Sequence, residues 1–122
     1  MKIDFEDERP IFQQIALGIE DAILTGAFEE GEQIPSITEF SVTYKINPAT
    51  ALKGINLLVD AGVLYKKRGV GMFVTEGAVM KLKEKRKEEF YDSYVRSLIE
   101  EAKKLGISGD EIIAMVARGY ER

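Results

Sequence analysis

The sequence predicts a mainly α-helical fold with one small β-hairpin. Three observations predict it. Apolar residues recur at helical spacing in several stretches of the chain. Helix-start signals stand directly in front of those stretches. A short run around Gly69 and Gly71 reads as two strands and the turn between them.

The first helix opens at Pro10-Ile11-Phe12, since proline suits a first helical turn. Phe12, Ile15, Ala16, Ile19, Ala22 and Ile23 form one apolar face, and Gly26 ends it. Glu30-Gly31-Glu32 is a loop, and Gln33-Ile34 is long enough only for a small edge strand. Ser36 and Glu39 form a Ser-x-x-Glu capping box that starts a short helix ending near Tyr44. Asn47 is a good N-cap and Pro48 a good first helical residue, so a third helix follows, with Ala51, Ile55, Leu58 and Val59 inward and Gly62 as its stop. Leu64 to Arg68 and Met72 to Val74 are the hairpin strands. Gly77 marks a boundary, after which one long helix is expected from Ala78 to Leu105. Ser108 and Glu111 form a second capping box and start a last helix. The predicted organisation is thus a domain over residues 1–77, with helix, turn, helix and two-stranded wing in order, and a two-helix tail over residues 78–122.

Composition excludes several functions. The chain has no Cys and no His, which removes disulfides, thiolate chemistry, imidazole metal ligation and the commonest acid–base group. No metal site, cofactor or catalytic residue is expected, and no enzyme motif is present. Gly69-Val70-Gly71 lacks the third glycine and the following helix of a dinucleotide fingerprint. No apolar run approaches membrane-spanning length, and the N-terminus lacks a basic start followed by an apolar block, so a cytoplasmic location is expected. Net charge is −4, the wrong sign for nucleic acid taken as a whole. Its distribution matters more. Residues 1–77 carry a net −5, with the acids gathered at Asp4, Glu6, Asp7 and Glu8 and at Glu29, Glu30 and Glu32. The bases come later, at Lys45, Lys53, Lys66, Lys67 and Arg68. A local basic face can bind phosphate on an acidic protein.

Helix, turn, helix and wing is a shape that enters a DNA groove with the start of its second helix. Here that helix presents Asn47, Ala49, Thr50 and Lys53 away from its apolar side. Small and hydroxyl side chains permit close approach, and Lys reaches guanine or phosphate. A solvated, well-capped helix would show the same residues. Three consecutive bases, Lys66, Lys67 and Arg68, precede the Gly69 turn. Phosphate or minor-groove contact explains them, whereas edge-strand protection explains a single Lys better than three bases. Ser36, Thr38 and Lys45 complete the candidate DNA contacts. The mixed charges of Lys81–Glu89 read as a solvated helix with ion pairs or as a DNA-binding tail.

In the tail, Tyr91, Tyr94, Val95, Leu98, Ala102 and Leu105 form an apolar stripe, and Ile112, Ile113, Met115 and Val116 lie on the last helix. Two such helices alone make a thin core. A second copy of the chain would complete a small bundle, so these residues are the expected dimerisation face; folding back on the first domain is the other solution.

Positions 10 to 74 resemble the winged helix-turn-helix domain of the GntR family of bacterial transcription regulators. Pro10-Ile11-Phe12-Gln13-Gln14-Ile15 resembles its opening Pro-Ile-Tyr-x-Gln-Ile. Gly26, Gly31 and Ile34-Pro35-Ser36 resemble its Gly…Gly-x-x-Leu-Pro-Ser segment. Asn47-Pro48-Ala49-Thr50-Ala51 matches an Asn-Pro-x-Thr-Val form of its recognition helix, and Gly62-Val63-Leu64 with Arg68-Gly69-Val70-Gly71-Met72-Phe73-Val74 matches its wing. The short tail with Ile107 to Ile112 resembles the small YtrA subgroup, which implies a dimerisation tail and, often, control of transporter operons. Thr38, Pro48 and Leu52 stand where family members often carry Arg, Val70 stands where a basic residue is frequent, and Met72 replaces a Thr. The resemblance implies a homodimeric regulator, a repressor, on a double-stranded, inverted-repeat operator. The differences shift affinity from the helices to the wing. A winged-helix protein–protein adaptor is the alternative, and no effector ligand is identified.

Overall fold

The computed structural model describes residues 1–122, which divide into two compact units, Met1–Glu84 and Lys85–Arg122.

In the first unit, α1 spans Ile11–Leu24 and buries Ile15, Ala16, Ile19 and Ile23, the stripe expected from helical spacing. Pro10, whose ring fixes its φ, starts it by accepting the N–H of Gln13 and Gln14 on its carbonyl. Helix α2 spans Ile37–Tyr44, and its capping box is complete: Ser36 Oγ accepts Glu39 N–H at 3.1 Å and Glu39 Oε1 accepts Ser36 N–H at 3.1 Å. Helix α3 spans Pro48–Asp60 behind the Asn47 cap, whose Oδ1 accepts Ala49 N–H at 2.8 Å. The turn between α2 and α3 bends at Lys45, a non-glycine residue at φ 54°, a conformation that L side chains adopt at a cost.

Strands β1 (Leu64–Lys67) and β2 (Gly71–Val74) pair antiparallel, with Leu64 opposite Val74 and Lys67 opposite Gly71. The expected edge strand is one bridge, Gln33 to Phe73. Around it Ile34 N–H donates to Met72 O and Val74 N–H to Glu32 O. Helices α1 and α3 pack on each other, and the core joins Ile15, Ile19 and Ile23 to Phe40, Ile55, Leu58, Val63, Leu64 and Val74. Gly54 lets them approach: a Cβ there would lie 2.7 Å from the Phe12 carbonyl oxygen. Gln14 is buried and ties the N-terminal segment to α1. Its Oε1 accepts Asp4 N–H, and its Nε2 donates to the carbonyls of Asp4 and Arg9.

Helix α4 spans Ala78–Phe90, and its Ala78 and Leu82 are buried in the first unit's core. The chain turns at Gly77 (φ 86°), but this core continues past the turn. Glu30 caps α4, accepting Gly77 N–H at 2.9 Å and Val79 N–H at 3.0 Å. Those two bonds hold its carboxyl below the ordinary glutamate range, as a helix N-terminus favours negative charge. A depressed carboxylate stabilises the fold above its unfolded-state pKa, and that contribution disappears as pH falls through the folded value. Glu30→Gln should therefore lower the thermal midpoint at pH 7, and the gap to wild type should begin to narrow only as pH falls below about 4. A gap independent of pH would refute the cap.

In the second unit, a π-helical turn over Tyr91–Val95 separates α4 from α5 (Arg96–Lys104), and α6 spans Gly109–Glu121. The single long helix expected from Ala78 to Leu105 is helical throughout to Lys104, with this π turn inside it. The wider turn makes neighbours of residues five apart. Arg96 lies 5.6 Å from the Tyr91 ring centroid and pairs with Asp92 at 2.6 Å. The Phe90 and Tyr94 rings are 5.2 Å apart. Helix α6 starts at the complete Ser108–Glu111 capping box. Ala102 is buried and Val95 and Ile112 half-buried, while Tyr91, Tyr94, Leu98, Leu105, Ile113, Met115 and Val116 are exposed. No helix is long and apolar enough to cross a membrane.

Candidate nucleic-acid interface

The core claims Ala51, Gly54, Ile55 and Leu58 from α3. The helical period then turns Ala49, Leu52, Lys53, Asn56, Leu57 and Asp60 outward, and these six line an open depression of about 310 Å³. Lys53 lies in the helix's first half and Asp60 at its end. Phosphate therefore meets a favourable charge at the start of α3 and an unfavourable one at its end.

Each expected contact has a definite setting. Thr38 and Ala49 are exposed, and Thr50 is half-buried on the flank of α3. Ser36 Oγ is occupied as an acceptor by the capping box but keeps its own O–H to donate. Asn47 Oδ1 likewise accepts Ala49 N–H, which holds the carboxamide at the helix start and leaves its NH₂ to donate to phosphate. Lys45 projects from the left-handed turn and is exposed. Lys53 leans back toward α1, its Nζ 4.1 Å from the Phe12 ring centroid. That contact turns the ammonium toward the flank of the outward face.

The wing does not gather its three bases into one cluster. Successive strand residues point to opposite faces. Lys67 shares a face with Tyr65 and Phe73, whose rings stack at 5.7 Å, and its Nζ sits 4.6 Å from the Phe73 centroid. Lys66, opposite Met72, points the other way. Arg68 and Gly69 form the exposed tip, with Gly69 at φ 78° and Val70 N–H donating to Lys67 O at 2.9 Å.

Two residues at this site escape a reading of the sequence. Gln33 Nε2 donates to Val70 O at 2.9 Å and anchors the wing tip. A Cβ at Gly71 would stand 2.5 Å from that same nitrogen. Nothing local to Gln33 signals a partner so far along the chain. Asn56 shares the outward strip of Ala49, and its place seven residues on could have revealed it. No group of side chains is suited to a metal ion. Chemically, the unit offers a helix start with small, apolar and amide groups, flanked by separate cations at Lys45, Lys66, Lys67 and Arg68.

Residues 11–74 match the family model described as bacterial regulatory proteins, gntR family. The chain is 29% identical over 115 residues to the uncharacterized HTH-type transcriptional regulator YhcF of Bacillus subtilis, which spans 93% of this chain and 92% of that protein. It is 30% identical over 78 residues to the HTH-type transcriptional repressor YtrA of the same organism, 64% of this chain and 60% of the relative. Among solved structures, a candidate GntR-family transcriptional regulator from Bacteroides thetaiotaomicron is 39% identical and superposes with a TM-score of 0.74 over 92% of this chain and 97% of that one. The structure of AraR(DBD) in complex with operator ORX1 is 26% identical, with a TM-score of 0.57 over 62% of this chain and 96% of that one.

Proposed function

The chain belongs to the GntR family of bacterial regulatory proteins, helix-turn-helix transcription regulators rather than enzymes, and from that premise we propose that it represses transcription as a homodimer bound to an inverted-repeat operator. The observation that carries the reading is the pairing, within one unit, of an α3 whose outward face is exposed and a wing whose tip presents Arg68 directly after Lys66 and Lys67 of β1. The first turns of α3 enter the major groove, Ser36, Thr38, Lys45, Asn47 and Thr50 set its position on the backbone, and the wing lies along the adjacent minor groove. The likeness to AraR(DBD) with its operator supports this arrangement. The resemblance to the YtrA subgroup makes a transporter operon the first set of genes to test.

The dimer reading rests on the second unit. Its 38 residues, Lys85–Arg122, leave Tyr94, Leu98, Leu105, Ile113, Met115 and Val116 in solvent. An open apolar depression of about 260 Å³ lies between α5 and α6, lined in part by Leu98, Ala102, Leu105, Ile112 and Met115. A second copy covers this surface and aligns two α3 helices on two half-sites.

Truncation tests the reading, and the cut belongs after Glu84, since Ala78 and Leu82 are part of the first unit's core. Residues 1–84 should keep the helical circular dichroism of a folded unit and sediment as a monomer. Their operator affinity should fall about 10²–10⁴-fold through loss of the linked second site. A truncated chain that stays dimeric would move the interface into the first unit. Full-length protein that holds random DNA as tightly as operator at physiological salt would favour the adaptor.

A further inference from the structure

The outward strip of α3 carries apolar side chains that the core does not use. Ala49 is exposed and Leu52 is 39% exposed, three residues apart and so neighbours on one side of the helix. Asn56 follows one turn further along the same strip and is exposed as well. We propose that Ala49 and Leu52 read the C5-methyl groups of thymines in the major groove and that Asn56 reads an adenine beside them, so that each half-site is recognised through an A·T-containing core. This rests on the DNA-binding reading above and specifies what that surface selects.

The chemistry follows from what is left to contact a base. The Asn47 carboxamide is held at the helix start by its cap, and Lys53 is drawn to the Phe12 ring. The ring holds that ammonium at the strip's flank, so no cation is aimed at the strip's centre to favour guanine there. The strip offers two apolar groups and one uncommitted carboxamide. The thymine methyl is the one apolar group on a major-groove base edge, and a carboxamide matches the N6–H donor and N7 acceptor of adenine. From Ala49 to Asn56 the helix advances about 10 Å, close to three base-pair steps of about 3.4 Å. The three side chains thus fall within about four base pairs of one half-site. Leu57 lies at the edge of the same outward face, one turn beyond Lys53, and Asp60 ends that face in a charge that phosphate repels. Base reading is confined to the strip's first two turns.

The test uses the full-length chain and duplexes selected from a randomised pool. In the selected sequence each thymine is replaced singly by deoxyuridine, which removes only the methyl group. Wild-type protein should bind about fourfold more weakly at one or two thymines per half-site, the worth of one methyl-sized apolar group. Leu52→Ala, an exposed substitution expected to leave the fold intact, should bind the thymine and deoxyuridine duplexes equally at one of those positions. Its salt dependence should not change. Asn56→Ala should relax selection at a neighbouring adenine. Uniform indifference of the wild type to deoxyuridine would overturn the inference while leaving specific DNA binding in place. So would a Leu52→Ala protein that keeps the full preference for thymine, since a merely structural leucine would not report on a base methyl. Selection of no sequence from the pool would overturn the DNA-binding reading itself, and this inference with it.

Discussion

Gly54→Ala should lower the thermal midpoint, although alanine is the better helix former. Intrinsic propensity favours Ala over Gly inside a helix by about 1 kcal/mol. Against it, the added Cβ would stand 2.7 Å from the Phe12 carbonyl oxygen and 3.1 Å from Cβ and Cγ2 of Ile15. The first neighbour is backbone of α1 and the second belongs to a side chain with no exposure, so neither yields without moving a helix. Overpacking of this kind costs about 1–3 kcal/mol, and a clash with backbone belongs at the upper end. The expected net loss is about 1–2 kcal/mol, and each kcal/mol lowers the midpoint by roughly 4–8 °C in a unit of this size. Operator affinity should fall as well, even at temperatures where the variant is folded, because α3 relieves the clash by shifting away from α1 and carries its outward strip with it. Gly119→Ala is the control. A Cβ there meets nothing within 4 Å, so propensity acts alone and the midpoint should not fall. A higher midpoint for Gly54→Ala would mean that α1 and α3 are free to separate.

That contrast shows why some of this fold is legible in the chain and some is not. The Ser36–Glu39 and Ser108–Glu111 boxes and the Asn47 cap link residues two or three apart, so their spacing in the sequence is their geometry. The apolar stripe of α1 is read in the same way, because one helical period decides which residues meet the core. Contacts made across the fold leave no such mark. Gln33 reaches Val70, Glu30 reaches Gly77 and Val79, and Gln14 gathers in Asp4. Each looks like an ordinary surface polar residue until the chain has folded. Gly54 reads as a weak point within a helical pattern, and only the approach of Phe12 supplies its purpose. The π-helical turn is hidden for another reason. Tyr91, Tyr94, Val95 and Leu98 satisfy an ordinary helical period, and the local pairing of Tyr91 with Arg96 across the wider turn leaves no mark in that period. Much the same holds for the interface: which residues are outward on α3 is a matter of period, but where Lys53 and Lys67 direct their charge depends on the Phe12 and Phe73 rings.

The wing is where that distinction has its largest consequence for binding. Lys66→Ala, Lys67→Ala and Arg68→Ala together should weaken operator binding and flatten its salt dependence. Each phosphate contact contributes about 0.9 to the slope of log affinity against log salt. A simple count of three bases predicts a loss of about 2.7 per protomer. Strand geometry predicts less. Lys66 and Lys67 leave β1 on opposite faces, so one of them shares a side with the phosphates that Arg68 reaches at the tip while the other faces away. The expected loss is then about 1.8 per protomer. Extrapolated to 0.15 M salt, a contact of that kind is worth roughly fivefold. Two contacts in each of two protomers make the triple variant several hundredfold weaker. Single substitutions decide between the counts. One of Lys66→Ala and Lys67→Ala should lower the slope by about 0.9 per protomer and the other should leave it nearly unchanged. Lys67 is the one whose ammonium the Phe73 ring already holds in place, so it reaches a phosphate with less ordering left to do. Equal losses from the two lysines would require both faces of the hairpin to meet DNA, with the wing inserted edge-on into the groove.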